Sequence, residues 1–395
     1  MCSDCEGDDL QSAAVSRFRH EAQRSCRAET RFVALPAILN SSSAIPFAQA
    51  AAGRHVISPV TDLLCVGLGS IVFFFPFVVF GSDAIMSYDT ALMATLTICV
   101  NLPHFMASYR ILYRTKESIM RYKGASIIVP GLLIAYLVFA VERAGTNELY
   151  LGAAVLIGAL YLAWHYTGQA WGMMATFAFL AGEPFSGRER LLIRTGLRLL
   201  LVWHLSWVLQ YPKDGVEVDH PVINRIYFAM SCATVVAFAL ALAGFWQYRR
   251  RTGKLPPLNA GVAWLAICFW YAAMARDPRA LFWVQIAHSV QYLVFPARVE
   301  INNYRKDHPQ QKRGAAVHSL VYFGILIALG FLIDWGSRNV GAPMVGDLFG
   351  LVSGSKFPVA VLAFINIHHY FTDGCIWKIS NKRVKEELFA HLENR

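Results

Sequence analysis

The chain has 395 residues, of which 56% are hydrophobic and only 16% charged, and its mean hydropathy is +0.41. Soluble domains carry about a quarter charged residues, so this composition argues against a soluble globular enzyme. The net charge of +10 does not point to nucleic acid, because the Lys and Arg residues sit in short clusters between long apolar runs, as membrane topology requires.

Residues 1–60 read as a basic cytoplasmic tail, with a short amphipathic segment at the membrane interface around residues 32–52. The tail opens without the apolar core of a signal peptide. Cys2 and Cys5 have half of a zinc spacing with no second half nearby. Most other cysteines lie in or beside apolar runs and serve as small hydrophobes.

The first clear span covers 64–80. Others follow at roughly 90–110, 125–142, 149–180, 196–210, 222–246, 259–275, 281–297, 317–334 and 357–377. A crossing helix needs about 20 apolar residues. The fifth and eighth runs are shorter and more polar, so they require other helices to shield them. The expected fold is all-α: a polytopic membrane bundle of about ten helices over 61–378, with 379–395 as a cytoplasmic tail.

Basic clusters at 110–123, 188–198, 249–254, 298–313 and 378–385 alternate with connections poor in positive charge. Ten spans with both termini in the cytoplasm satisfy the positive-inside rule at every turn. The expected location is a bacterial inner membrane.

Six histidines fall well inside spans: His104, His165, His204, His288, His368 and His369. Polar groups at membrane depth are expensive and mark functional sites. Counted along each helix from the nearest basic cluster, His104, His204, His288, His368 and His369 lie about 9 to 15 Å deep. His165 lies at that depth or nearer mid-membrane. Five helices thus offer imidazole at one level, and the expectation is a shared metal or haem site. Separate hydrogen-bonded rings would not need a common depth.

The neighbours of these rings are polar. Pro103 precedes His104 and bends its helix. Gln169 lies one turn beyond His165, Tyr292 one turn beyond His288, and Asp373 one turn beyond His369. Together with Tyr166 they are candidates for catalytic or ligand-supporting roles. His368 and His369, adjacent on a helix, point about 100° apart and are not an equal pair of ligands. A nitrogen-rich set with few carboxylates admits non-haem iron, zinc, copper or haem b. The tight His-x-x-His-His clusters of membrane desaturases are absent.

Four segments occur in order: Leu102-Pro103-His104, His165-Tyr166-Thr167-Gly168, His288-Ser289, and His368 with Asp373. In this they resemble the bacteriorhodopsin-related-protein family of membrane carotene dioxygenases, as four short islands over roughly residues 100–375. The resemblance implies four histidines on one non-haem iron, with His104, His165 and His288 as three of them. The family's fourth ligand comes one turn after the third, where this chain has Tyr292, so His369, His368 or His204 would take its place. The expected function is a histidine-ligated, metal-dependent membrane oxidoreductase of the oxygenase kind. Its partners would be a lipid-soluble small molecule, membrane lipids, molecular oxygen and an electron donor. A haem b electron-transfer protein and a transporter with a histidine-lined pathway are the alternative readings.

Overall fold

The computed structural model describes residues 55–81, 89–210, 220–311, 314–344, 356–377 and 382–393. The chain divides into two compact units, Met1–Phe47 and Ala48–Arg395, and the described residues belong to the second. The interfacial segment expected at 32–52 lies outside them, as do Cys2 and Cys5.

All regular elements among the described residues are helices. Ten are long: α1 (Pro59–Phe80), α2 (Thr90–Leu112), α3 (Gly124–Arg143), α4 (Leu149–Leu180), α5 (Gly187–Gln210), α6 (Pro221–Thr252), α7 (Leu258–Arg276), α8 (Ala280–Asp307), α9 (Gly314–Met344) and α10 (Lys356–Ile376). A shorter amphipathic helix, α11 (Lys382–Glu393), follows within the segment expected as a tail. The chain is an integral membrane protein with an all-α helical bundle. Nine of the ten long helices are apolar enough to cross a bilayer.

The exception is α8. Its 28 residues are long enough to cross, but they include His288, Gln291, Arg298, Glu300 and Asn302, all buried. Such a helix is stable at membrane depth only when other helices cover it. The chain provides this cover, because α8 packs against α1, α2, α7, α9 and α11. The second central helix, α10, touches α2, α3 and α4. By contrast, only 11% of the apolar window of α6 and 17% of that of α9 are buried. Phe228, Val235, Leu320 and Leu332 point outward from them, as lipid-facing residues do.

Several helices widen locally into π turns. Thr97–Asn101 precedes Pro103, and Gly124–Ile128 precedes Pro130. Proline removes a backbone donor and crowds the preceding turn, and a wide turn absorbs that misfit. Buried side chains then satisfy the altered carbonyls. Gln291 Nε2 donates to the Val66 carbonyl, in the π turn Leu64–Leu68 of α1. At the base of α1, buried Asp62 accepts from the Val56 and Ile57 amides at 2.7 and 2.9 Å. Arg298 of α8 donates to the carbonyls of the same two residues.

The pairing of α5 with α6 rests on a close approach at Gly196, where an added Cβ would lie 2.6 Å from the Ala237 carbonyl oxygen. Gly196→Leu is expected to lower stability by about 1–3 kcal/mol through overpacking. Gly324→Leu, where an added Cβ meets nothing within 4 Å, should leave it unchanged. Thermal unfolding in detergent checks both.

Candidate metal centre

Four helices each bring one histidine to the middle of the bundle: His104 on α2, His165 on α4, His288 on α8 and His369 on α10. All four rings are buried, at 1, 6, 2 and 0% exposure. Each offers one ring nitrogen, and these four nitrogens lie within 4.8 Å of one another.

The rings form a closed cycle. Centroids are 5.3 Å apart from His104 to His288, 4.7 Å to His165, 4.9 Å to His369, and 4.6 Å back to His104. Successive ring planes stand at 90°, 73°, 70° and 85°. Imidazoles directed at a common point from four sides adopt such an arrangement. His165 Nε2 and His288 Nε2 approach to 3.0 Å.

The orientation of His104 is set from behind. Its Nδ1 donates to the Asn101 carbonyl and lies 2.9 Å from Ser289 Oγ. Ser289 Oγ also contacts Asn101 Oδ1 at 3.0 Å and the Gln285 carbonyl at 2.8 Å. With Nδ1 protonated towards a carbonyl, Nε2 keeps its lone pair for a cation.

Among the described residues, His104 Nε2, His288 Nδ1 and both nitrogens of His369 have no hydrogen-bond partner. A buried polar atom left unpaired costs about 1–3 kcal/mol, and several in one cluster call for a common explanation. A metal ion would take one lone pair from each ring and so account for His104 Nε2 and one nitrogen of His369, while His288 Nδ1, like His204 Nε2 and His368 Nδ1 outside the group, stays unpaired.

His204 and His368, also expected as ligands, are not part of this group. His204 Nδ1 lies 3.2 Å from the Tyr271 hydroxyl, and its ring packs on Trp207. His368 Nε2 donates to the Ala125 carbonyl at 2.7 Å, and its ring stacks on Tyr109. His204 faces Tyr166 and Tyr271 from α5, which packs on α4, α6 and α7, and His368 turns away from the group towards Tyr109. The angular offset between adjacent helical residues sends His369 inward and His368 towards α3.

One turn beyond each of the four histidines stands a polar residue: Ser108, Gln169, Tyr292 and Asp373. Three of these join in a second layer. Ser108 Oγ donates to Asp373 Oδ1 at 2.7 Å, Tyr292 OH donates to the same oxygen at 3.1 Å, and the two hydroxyls are 2.5 Å apart. Trp377 Nε1 donates to Tyr292 OH at 2.7 Å. The other carboxylate oxygen, Asp373 Oδ2, lies 3.4 Å from His369 Nε2 and 4.0 Å from His165 Nε2. Gln169 Nε2 donates to the His288 carbonyl at 3.2 Å and to Gln291 Oε1 at 2.8 Å. Tyr166 is fully buried with its ring 4.8 Å from that of His288, and its hydroxyl has no partner among the described residues.

Sequence reading missed Ser108, Trp377 and Gln291. The same one-turn spacing that marks Gln169, Tyr292 and Asp373 also marks Ser108. No comparable signal marks the other two, which enter through tertiary contacts.

Comparison with protein-family models, curated proteins and solved structures finds no match to this chain.

Alanine in place of His104, His165, His288 or His369 should abolish metal retention, whereas His204→Ala and His368→Ala should keep it. Elemental analysis of the six purified variants checks the division. Asp373→Asn and Ser289→Ala should weaken metal affinity by about 10–100-fold without abolishing binding, as read by chelator competition.

Proposed function

We propose that this chain is a membrane oxidoreductase of the oxygenase kind, built around one non-haem iron held by His104, His165, His288 and His369. The observation that carries this reading is the convergence of four buried ring nitrogens from four helices within 4.8 Å. A metal–nitrogen distance of about 2.0–2.1 Å puts neighbouring ligand nitrogens about 3–3.5 Å apart, and the 3.0 Å approach of His165 to His288 lies in that range.

The donor set favours one ion over a haem. A bis-histidine haem takes one imidazole on each face of a flat macrocycle. Here two further imidazoles occupy the plane that the macrocycle would need. Imidazole suits iron, zinc and copper alike, but a four-ligand zinc site is closed and structural. A cavity reaches His165 and Asp373 from the side. This favours an ion with an open coordination position and supports iron over zinc.

Bound iron would supply the activation of molecular oxygen, which the side chains cannot perform themselves. The residues of this chain have other tasks. Asn101 and Ser289 hold His104 in one orientation. Asp373, fixed through Oδ1 by Ser108 and Tyr292, presents Oδ2 towards His165 and His369 and can carry a proton to or from the cavity. Gln169, anchored at both of its amide hydrogens, fixes α4 against α8. The bundle excludes water from the rings and leaves lipid as the surrounding solvent, which fits a lipid-soluble substrate.

This reading gives chemical content to the resemblance with the membrane carotene dioxygenases. His369 takes the fourth place, and Tyr292 stands where that family has its last histidine. The strict alternation of basic and non-basic loops around ten helices supports an orientation with both termini in the cytoplasm.

Purified protein is expected to contain one iron per chain, removed only by strong chelators, and to show no Soret band. A protein without bound metal after chelator-free preparation, or one with a haem spectrum, would overturn the reading. Zinc or copper in stoichiometric amount would keep the centre but replace the oxygen chemistry proposed for it.

A further inference from the structure

A cavity of about 200 Å³ lies between α4 and α10, against the histidine group. His165 and Gln169 form part of its wall, together with Tyr292 and Asp373 from the second polar layer. It therefore touches the proposed centre directly.

The cavity opens sideways. Trp164, Gly168 and Gly374 line it and are exposed on the surface of the described bundle. Gly168, Gly172 and Gly374 all belong to its wall, and a Cβ added at any of the three would meet nothing within 4 Å. No neighbouring atom fills the space beside these positions, so the wall is thin there. Small residues usually let helices approach closely. These three leave a gap instead.

Met173 and Thr176 on α4 lead to Val384 and Leu388 of α11, which also line the cavity. α11 is held down by Asn302 of α8, whose amide donates to the Glu387 and Leu388 carbonyls at 2.8 and 3.1 Å. Buried Phe389 packs against Phe179. The lining of the chamber thus runs from exposed residues of α4 and α10 to the buried face of α11.

Size limits what fits. An apolar cavity of about 150 Å³ holds a benzene ring, so this chamber holds one ring or about seven chain carbons.

We propose that this cavity is the substrate chamber of the same site: an elongated apolar lipid slides in sideways between α4 and α10, seats one slender end beneath α11, and leaves the rest of its length in the bilayer. The position brought next to His165 and Asp373 is then close to an end of the molecule, not at the middle of a long chain. This rests on the metal-centre reading for its chemistry, but the chamber itself is tested independently.

The probes are two hexadecyl hydrocarbons, one with a terminal phenyl-diazirine and one with a mid-chain diazirine. Each is added to the full chain in lipid nanodiscs, photolysed, and mapped by mass spectrometry, with metal content measured in parallel. The terminal probe should label Met173, Thr176 or Leu388. The mid-chain probe should label only the mouth, at Trp164, and the lipid-facing helices. Gly172→Leu should lose the deep labelling while keeping wild-type metal content and wild-type labelling of α6. Three outcomes would overturn the chamber: no deep labelling by the terminal probe, equal deep labelling by both probes, or deep labelling that survives in Gly172→Leu. Deep labelling of a wild-type protein that holds no metal would support the chamber and overturn the metal reading instead.

Discussion

The structure depends on the cost of burying imidazole nitrogens where water cannot reach them. In a soluble protein a histidine at the wrong angle can turn to solvent. At membrane depth each ring nitrogen must find a partner in the bundle or stay unpaired at about 1–3 kcal/mol. His204 and His368 follow the ordinary course and bond Tyr271 and the Ala125 carbonyl. The other four each bring one ring nitrogen to a common place within 4.8 Å, and it is this convergence, not an unpaired nitrogen, that sets them apart.

That arrangement determines which helices occupy the centre. A ring from α2 meets a ring from α10, and one turn on, Ser108 of α2 meets Asp373 of α10. The same offset joins Tyr292 of α8 to both. Equal offsets at two levels require these helices to run parallel through the site. They are the even-numbered helices of the bundle, which an alternating chain sends in one direction. His204, on odd-numbered α5, belongs to the opposite set. The result is a site of two layers, imidazoles above and a carboxylate with two hydroxyls below, repeated at one-turn spacing from helix to helix.

The periphery follows from the same constraint. A polar interior needs cover, and α8 is enclosed by five other helices because its own residues would not tolerate lipid. α6 and α9 have no such residues at depth and remain largely uncovered. Between α4 and α10 the cover is thin: three glycines stand at the wall of the cavity.

The amino-acid sequence alone determined the fold class and the ten helical segments and set an expected depth for five of the six intramembrane histidines, because hydropathy and loop charge act along the chain and need no knowledge of neighbours. It also marked Gln169, Tyr292 and Asp373, since a one-turn offset is a local property of any helix. Depth, however, is a single coordinate. Which way a ring points around its helix depends on how that helix is rotated against its neighbours, and only tertiary packing sets this rotation. Packing therefore separated His369 from His368, left His204 outside, brought Ser289 and Asn101 behind His104, and opened the cavity between α4 and α10.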